Sequence, residues 1–154
     1  MSSWQDLEEA APAMARLGRR LLRASGRAFL ATARADGRPR VHPVCPALDR
    51  GRLFVCVIRQ SPKCDDLVHR GWYVLHALPG PQDAEFWVEG RALPVPDATS
   101  ATRIEVPDGD ELFELDITRA GATLYEAGAV GLPIPRRRTW AGDAAHSFSA
   151  PVEV

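Results

Sequence analysis

Lysine is almost missing from this chain: of 19 basic residues, 18 are arginine and one is lysine, Lys63. Alanine and proline are abundant, which points to a coding bias rather than to selection for arginine as such. Against that background the lone lysine is an informative exception. Cysteine is scarce and odd in number, with Cys45, Cys56 and Cys64 at no CxxC spacing. That excludes a disulfide framework and a structural zinc site, and it reads as three small core residues. Excess charge of either sign is missing too. A formal net charge of -1 gives no global field to draw in nucleic acid or an anionic membrane. No apolar run approaches the roughly 18 residues that a membrane helix needs. The N-terminus places acids before basic residues, the reverse of a secretory signal, so the expected location is cytoplasmic. There is no GxGxxG, P-loop or HExxH. His69 and His76 have no Cys or Asp at metal-ligand spacing, so no metal is expected. Ser147 and Ser149 have no nucleophile-elbow context.

What is present suits one folded domain spanning residues 1–154. The chain has 154 residues, 45% of them hydrophobic and 25% charged, which is ordinary for a globular protein. Residues 6–23 place Leu7, Ala10, Ala11, Met14, Leu17, Leu21 and Leu22 on one helical face. Acids fall in the first turn and arginines in the last, as the helix dipole favours. Gly26 is the expected stop, and Pro12 is expected to kink the helix or delay its start.

From residue 27 the pattern is that of strands. Residues 27–34 and 41–48 flank Ala-Asp-Gly-Arg-Pro, a hairpin signal. Pro43 and Pro46 require the second strand to be bent, bulged or at an edge. Residues 53–58 (LFVCVI) are apolar on both faces, as in a buried strand central to the sheet. A short helix is expected at 62–69, strands at 72–78 and 85–95, and a hairpin loop at 79–83. Residues 96–110 read as a loop or short helix. Residues 112–118 alternate cleanly, and 122–126 is expected to pair with them. Pro133 and Pro135 interrupt the chain, Arg136-Arg137-Arg138 reads as a solvated basic turn, and short strands are expected at 139–140 and 146–150. The sum is a mostly β fold: a small antiparallel barrel of about six strands with an N-terminal helix and one or two short helices.

Two stretches carry chemistry. In Arg59-Gln60-Ser61-Pro62-Lys63, Ser61 is a natural N-cap and Pro62 suits the first helical position. Free amides of the first turn, the Ser61 hydroxyl, Arg59 and Lys63 would then converge on an anion. The alternative is a plain capped helix with solvated basic side chains. In Arg40-Val41-His42-Pro43-Val44, Arg40, His42 and Val44 share one strand face, along which a flat aromatic group could lie. The alternative there is a half-exposed strand histidine.

In order, FLATARADGRPRVHPV, LFVCVIRQSPKCDDL, WYVLHAL and FWVEGRA resemble the pyridoxamine 5'-phosphate oxidase-like family of FMN-binding split barrels. The resemblance covers roughly residues 10–95, with LFELDIT and Trp140 fitting more loosely. It implies an antiparallel split β-barrel that pairs as a homodimer with two cofactor sites at the two-fold interface. It implies that the strand at His42, Pro43, Val44 and Cys45 runs along the flavin, and that Cys56 and Val57 border it. Ser61 and Lys63 would hold the terminal phosphate, residues 85–90 would pack nearby, and Trp140 would reach the neighbouring site. Two departures stand out. Ala47 occupies a place that is basic in pyridoxamine phosphate oxidases, and the chain ends HSFSAPVEV, without the Arg- and His-rich segment that grips their substrate phosphate.

The expected function is therefore that of an FMN-dependent oxidoreductase on an unidentified small molecule, with His42 the one candidate proton donor. The deazaflavin F420 is the alternative cofactor, with Arg40 and Arg59 serving its acidic tail. A non-enzymatic flavin or haem binder is the rival from another class. Trp72, Phe86 and Trp87 are expected to contribute to the surface between the two copies.

Overall fold

Pro12 does not kink one helix; it starts a second. In the computed structural model, which describes residues 1–96, 101–128 and 132–142, α1 spans Trp4–Ala10 and α2 spans Pro12–Ser25. Ala11 between them leaves helical geometry at φ -138°, ψ 63°. Proline cannot supply an interior helix amide but suits the first turn, so the break falls immediately before it. Ser3 and Asp6 form a capping box at the start of α1. Gly26 ends α2 in the left-handed conformation, φ 64°. Both helices lay an apolar stripe on the sheet. Trp4 and Leu7 are fully buried, and Trp4 meets Phe86 edge to face at 5.7 Å between ring centroids. Such a pair adds about 0.5–1.5 kcal/mol beyond burial. Phe86 lies against Gly18 so closely that a Cβ there would sit 2.5 Å from the ring. Phe86 therefore belongs to this chain's own core and is not a partner-facing residue. Trp87 is half-buried over Gly121, and Trp72 is exposed.

The strands are β1 (Ala28–Ala33), β2 (Pro39–Val44), β3 (Pro46–Asp49), β4 (Arg52–Ile58), β5 (Trp72–Ala77), β6 (Glu85–Pro94), β7 (Asp110–Ala127) and β8 (Pro133–Ala141). A helix α3, Pro62–His69, joins β4 to β5, and a 3-10 turn at Pro81–Asp83 joins β5 to β6. Every pairing is antiparallel, in the order β2-β1-β5-β6-β7-β4-β3, with β8 added on β7. β2 and β3 thus stand at opposite ends of the path, yet only Cys45 separates them in the chain. The sheet must curl until its two ends meet at Cys45, which makes a split barrel rather than a closed one. The edge positions explain how Pro39, Pro43 and Pro46 are accommodated, since edge strands need amides on one side only.

Four expectations about the strands are corrected. There are eight strands rather than about six, because residues 41–48 divide at Cys45 and β8 runs from Pro133. β8 pairs only with β7, which lets it contain Pro133 and Pro135, and it makes Arg136-Arg137-Arg138 part of a strand rather than a turn. Residues 53–58 are next to an edge, not central; Leu53, Val55 and Val57 join the main core while Phe54 is buried on the other face. Finally, 122–126 does not pair back on 112–118. Both belong to β7, an unbroken 18-residue strand. Gly121 has no left-handed φ and makes no turn; it leaves room for the Trp87 ring, 2.4 Å from where a Cβ would lie. The expected strand at 146–150 lies outside the described residues. Of the three thiols expected in the core, Cys64 is buried there, while Cys56 is half-buried and Cys45 is exposed at the split.

A tight point of the sheet is the β6–β7 bulge, where Thr118 of β7 is the extra residue opposite the Glu89–Gly90 step. A Cβ at Gly90 would fall 2.0 Å from the Asp116 carbonyl oxygen, an unyielding backbone atom. Gly109, by contrast, needs its positive φ of 87° but has open space around it. Gly90→Ala should therefore cost about 3 kcal/mol or more, against about 1 kcal/mol for Gly109→Ala. Urea unfolding midpoints of the two variants would check this; equal losses would contradict the assigned close approach.

Candidate functional site

The β1–β2 hairpin sets the first wall of the site. Its turn is closed by Arg34 N–H donating to the Arg38 carbonyl at 3.0 Å and by Gly37 at φ 81°. The register then fixes Arg40 opposite Thr32, His42 opposite Leu30 and Val44 opposite Ala28. Arg40, His42 and Val44 face the inside of the curl, while Val41 and Pro43 face out and are exposed.

Helix α3 supplies the second wall. It packs across β1, β4, β5 and β6, and its one acid that turns inward, Asp66, is the clasp. The buried Asp66 carboxylate accepts from Thr32 Oγ1 at 2.8 Å and from Arg40 Nε at 2.9 Å, with Arg70 at 3.9 Å. Asp66 thus ties α3 to the hairpin, and this brings the start of the helix beside His42. Nothing in the local sequence marked Asp66 as special; Asp65, its neighbour, is exposed.

At the start of α3, Ser61 occupies the N-cap position with extended backbone, but its hydroxyl makes no cap bond. It donates instead to the Ile58 carbonyl at 2.6 Å. Pro62 has no amide hydrogen, and the Cys64 and Asp65 amides both turn to the Ser61 carbonyl, at 2.9 and 3.3 Å. Lys63 is half-buried and makes no ion pair among the described residues. Its charge is felt by His42. Burial lowers the His42 pKa below the usual value of 6.5, and repulsion from Lys63, Arg40 and Arg34 lowers it further against the opposing pull of Asp66. The neutral form of the His42 ring is favoured as a result. Its Nε2 is buried without a hydrogen-bond partner, as is Nε of Arg34. Buried polar atoms are normally paired, so an orphan here marks a place for a ligand group.

The structure therefore gathers Arg40, His42 and Lys63 in one neighbourhood, with Ser61 two residues before Lys63 and Arg34 as a member the sequence reading missed. The other candidates are placed differently. The side chains of Val44 and Val57 are buried in the core and leave only backbone to a ligand. Pro43 faces outward. Cys56 is half-buried, and its pKa is raised by burial and by the nearby Asp110 and Cys45. Arg59 is largely exposed and leans toward Glu111 at 3.8 Å. The buried Cys64 thiol is pushed up to about 11 by burial and by Glu111, which makes it inert. Trp140 is half-buried on β8 opposite Ala120. β4 meets β7 at Leu112, eight residues away, or roughly 25 Å along a strand. No helix is long and apolar enough to cross a membrane among the described residues.

No family profile and no curated protein matches the sequence. Solved structures do match the fold. PhzG from Burkholderia lata 383, in complex with tetrahydrophenazine-1-carboxylic acid, superposes with a TM-score of 0.66 at 17% identity, covering 90% of this chain and 92% of its own. A pyridoxamine 5'-phosphate oxidase-related, FMN-binding protein from Nostoc punctiforme PCC 73102 gives 0.61 at 14% identity, covering 86% and 96%. A heme binding protein from Mycobacterium smegmatis gives 0.61 at 20% identity; 81% of this chain matches 57% of that longer one. The chain has the split-barrel fold of the pyridoxamine 5'-phosphate oxidase-related, FMN-binding proteins.

Proposed function

We propose that this chain binds FMN in the cleft between β2 and the start of α3 and serves as an oxidoreductase for a small molecule in the cytoplasm. The observation that carries the reading is the unpaired Lys63 beside His42 at an uncapped helix start, with Arg34 and Arg40 close by. Three cations surround one imidazole, and the acid that α3 turns inward, Asp66, is already engaged with Thr32 and Arg40. Such a cleft suits a dianionic phosphate. Lys63 would pair with it, and the Ser61 hydroxyl would exchange its Ile58 acceptor for a phosphate oxygen. The orphan Nε2 of His42 would meet a polar group farther along the cofactor. FMN, once bound, supplies hydride or electron transfer; the protein holds and orients it. Arg40 and Arg59 already lean on Asp66 and Glu111, so the long acidic tail of F420 finds less free charge than FMN does.

The reading includes a second copy of the chain. Val41, Phe29, Val74 and Trp72 are exposed on the outer face of β2, β1 and β5. The register places Val41 and Val74 on either side of Ala31, and Phe29 beside Pro43. A hollow of about 390 Å³ between Ala31, Trp72, Val74 and Glu89 completes this face. Contiguous apolar surface of this kind marks an interface. It lies on the back of the strand that lines the cleft, so pairing would stiffen the cofactor's own wall.

Three outcomes are expected. Lys63→Ala should weaken FMN by about ten- to a hundredfold, the worth of one charge-assisted contact, and weaken riboflavin, which has no phosphate, far less. Fluorescence quenching titrations decide this, and equal loss for both ligands would mean a folding defect instead. In the unliganded protein the His42 ring should titrate below 6.5 by NMR, and Lys63→Ala should raise that midpoint because a repelling charge is gone. The sign for stability follows: with the folded pKa depressed, acidification through 6.5 protonates the unfolded chain first and disfavours the fold. Light scattering at micromolar concentration should give a dimer mass, and Val74→Glu a monomer; a wild-type monomer would contradict the pairing.

A further inference from the structure

A second concavity lies away from the Lys63 site. A groove of about 1550 Å³ runs between α2 and the paired ends of β7 and β8. Seven arginines line it, with Glu126 as the only acid among the described residues. Since the whole chain carries a net charge of -1, this is a local concentration of positive charge and not a reflection of a basic protein. One row comes from the helix: Arg16, Arg20 and Arg23, with Arg19 between, recur at the three- and four-residue spacing that shares a helical face. The other row comes from β8, where Arg136 and Arg138 alternate onto the side carrying Ala122 and Leu124 of β7.

Few of these charges are answered within the chain. Arg19 pairs with Glu8, and Arg136 with Glu126 at 2.9 Å. Arg16, Arg20, Arg23, Arg137 and Arg138 make no ion pair among the described residues. Between the rows the floor is apolar: Met14 and Leu17 lie beneath, and the Leu124 side chain is 49% exposed. Two facing rows of like charge repel one another, and a concave site focuses their field. A bound anion removes that penalty, and guanidinium forks match phosphate oxygens in pairs.

We infer that this groove is a binding site for a linear oligophosphate. The helical row from Arg16 to Arg23 extends roughly 10 Å at 1.5 Å per residue, so a single phosphate would leave most of it unanswered. A chain of three phosphates reaches along it and meets β8 on the other side. The apolar floor would additionally accept the base of a nucleoside triphosphate. The site is separate from the Lys63 cleft and does not depend on what that cleft binds.

The test is isothermal titration of the full chain, at low and at moderate salt, with inorganic tripolyphosphate, ATP and adenosine. Tripolyphosphate should bind, and more weakly as salt rises, while adenosine alone should not. Arg20→Ala/Arg138→Ala should weaken tripolyphosphate by about tenfold or more. Lys63→Ala should leave it unchanged. Arg20→Lys/Arg138→Lys keeps the charges and loses the forks, so it should fall between wild type and the alanine pair; it also decides the matter if the alanine pair does not fold. ATP binding tighter than tripolyphosphate would identify a nucleotide as the source of the phosphates, and equal binding would identify the phosphate chain alone. The inference is overturned if tripolyphosphate does not bind at millimolar concentration, or if the arginine variants bind as wild type. It is also overturned if Lys63→Ala abolishes binding, or if polyglutamate binds and tripolyphosphate does not.

Discussion

One buried carboxylate organises the cleft. Asp66 holds Thr32 on β1, Arg40 on β2 and, more loosely, Arg70 at the end of its own helix. A buried acid is stable only when its oxygens are answered, and here they are answered from two strands and a helix at once. The consequence is positional. The last turn of α3 is pinned to the hairpin, so its first turn, with Ser61 and Lys63, has one place to go: beside His42. The same contact draws off Arg40, which leaves Lys63 and Arg34 as the cations there that make no ion pair among the described residues. Binding chemistry at the helix start therefore depends on a bond made at its other end.

The barrel's topology supplies the rest. Because β2 and β3 end opposite sides of the sheet and are joined through Cys45, the seam of the curl runs past the candidate cofactor strand. Edge strands expose backbone groups and tolerate proline. The seam is thus where a ligand can meet main-chain atoms without breaking a ladder. The opposite face of the same hairpin is apolar and exposed, so β2 presents His42 and Arg40 on one side and an open apolar surface on the other.

Local signals were legible in the sequence wherever one residue dictates the backbone. Ser61-Pro62 marked the start of α3 and Gly26 the end of α2, as found. Alternation put Arg40, His42 and Val44 on one face. What failed depended on partners distant in sequence. Residues 122–126 were expected to pair with 112–118, but both lie in one strand, where Gly121 makes room for the Trp87 ring. Phe86 looked like an interface residue until Gly18 of α2 was seen to make room for it. Asp66 and Arg34 carry no motif, and their role appears only when α3 lies against the hairpin. Likewise the triple arginine near the C-terminus gained meaning only when β8 was placed across a groove from α2.

The central claim, that the Lys63–His42 cleft holds FMN, is most directly tested by the colour and contents of the purified full chain. The account predicts a yellow protein that releases FMN on heating, identified by its mass, or an apo-protein that turns into this species when FMN is added. A chain that stays colourless with FMN, that carries red-brown haem, or that releases the blue-green fluorescence of F420 would contradict it.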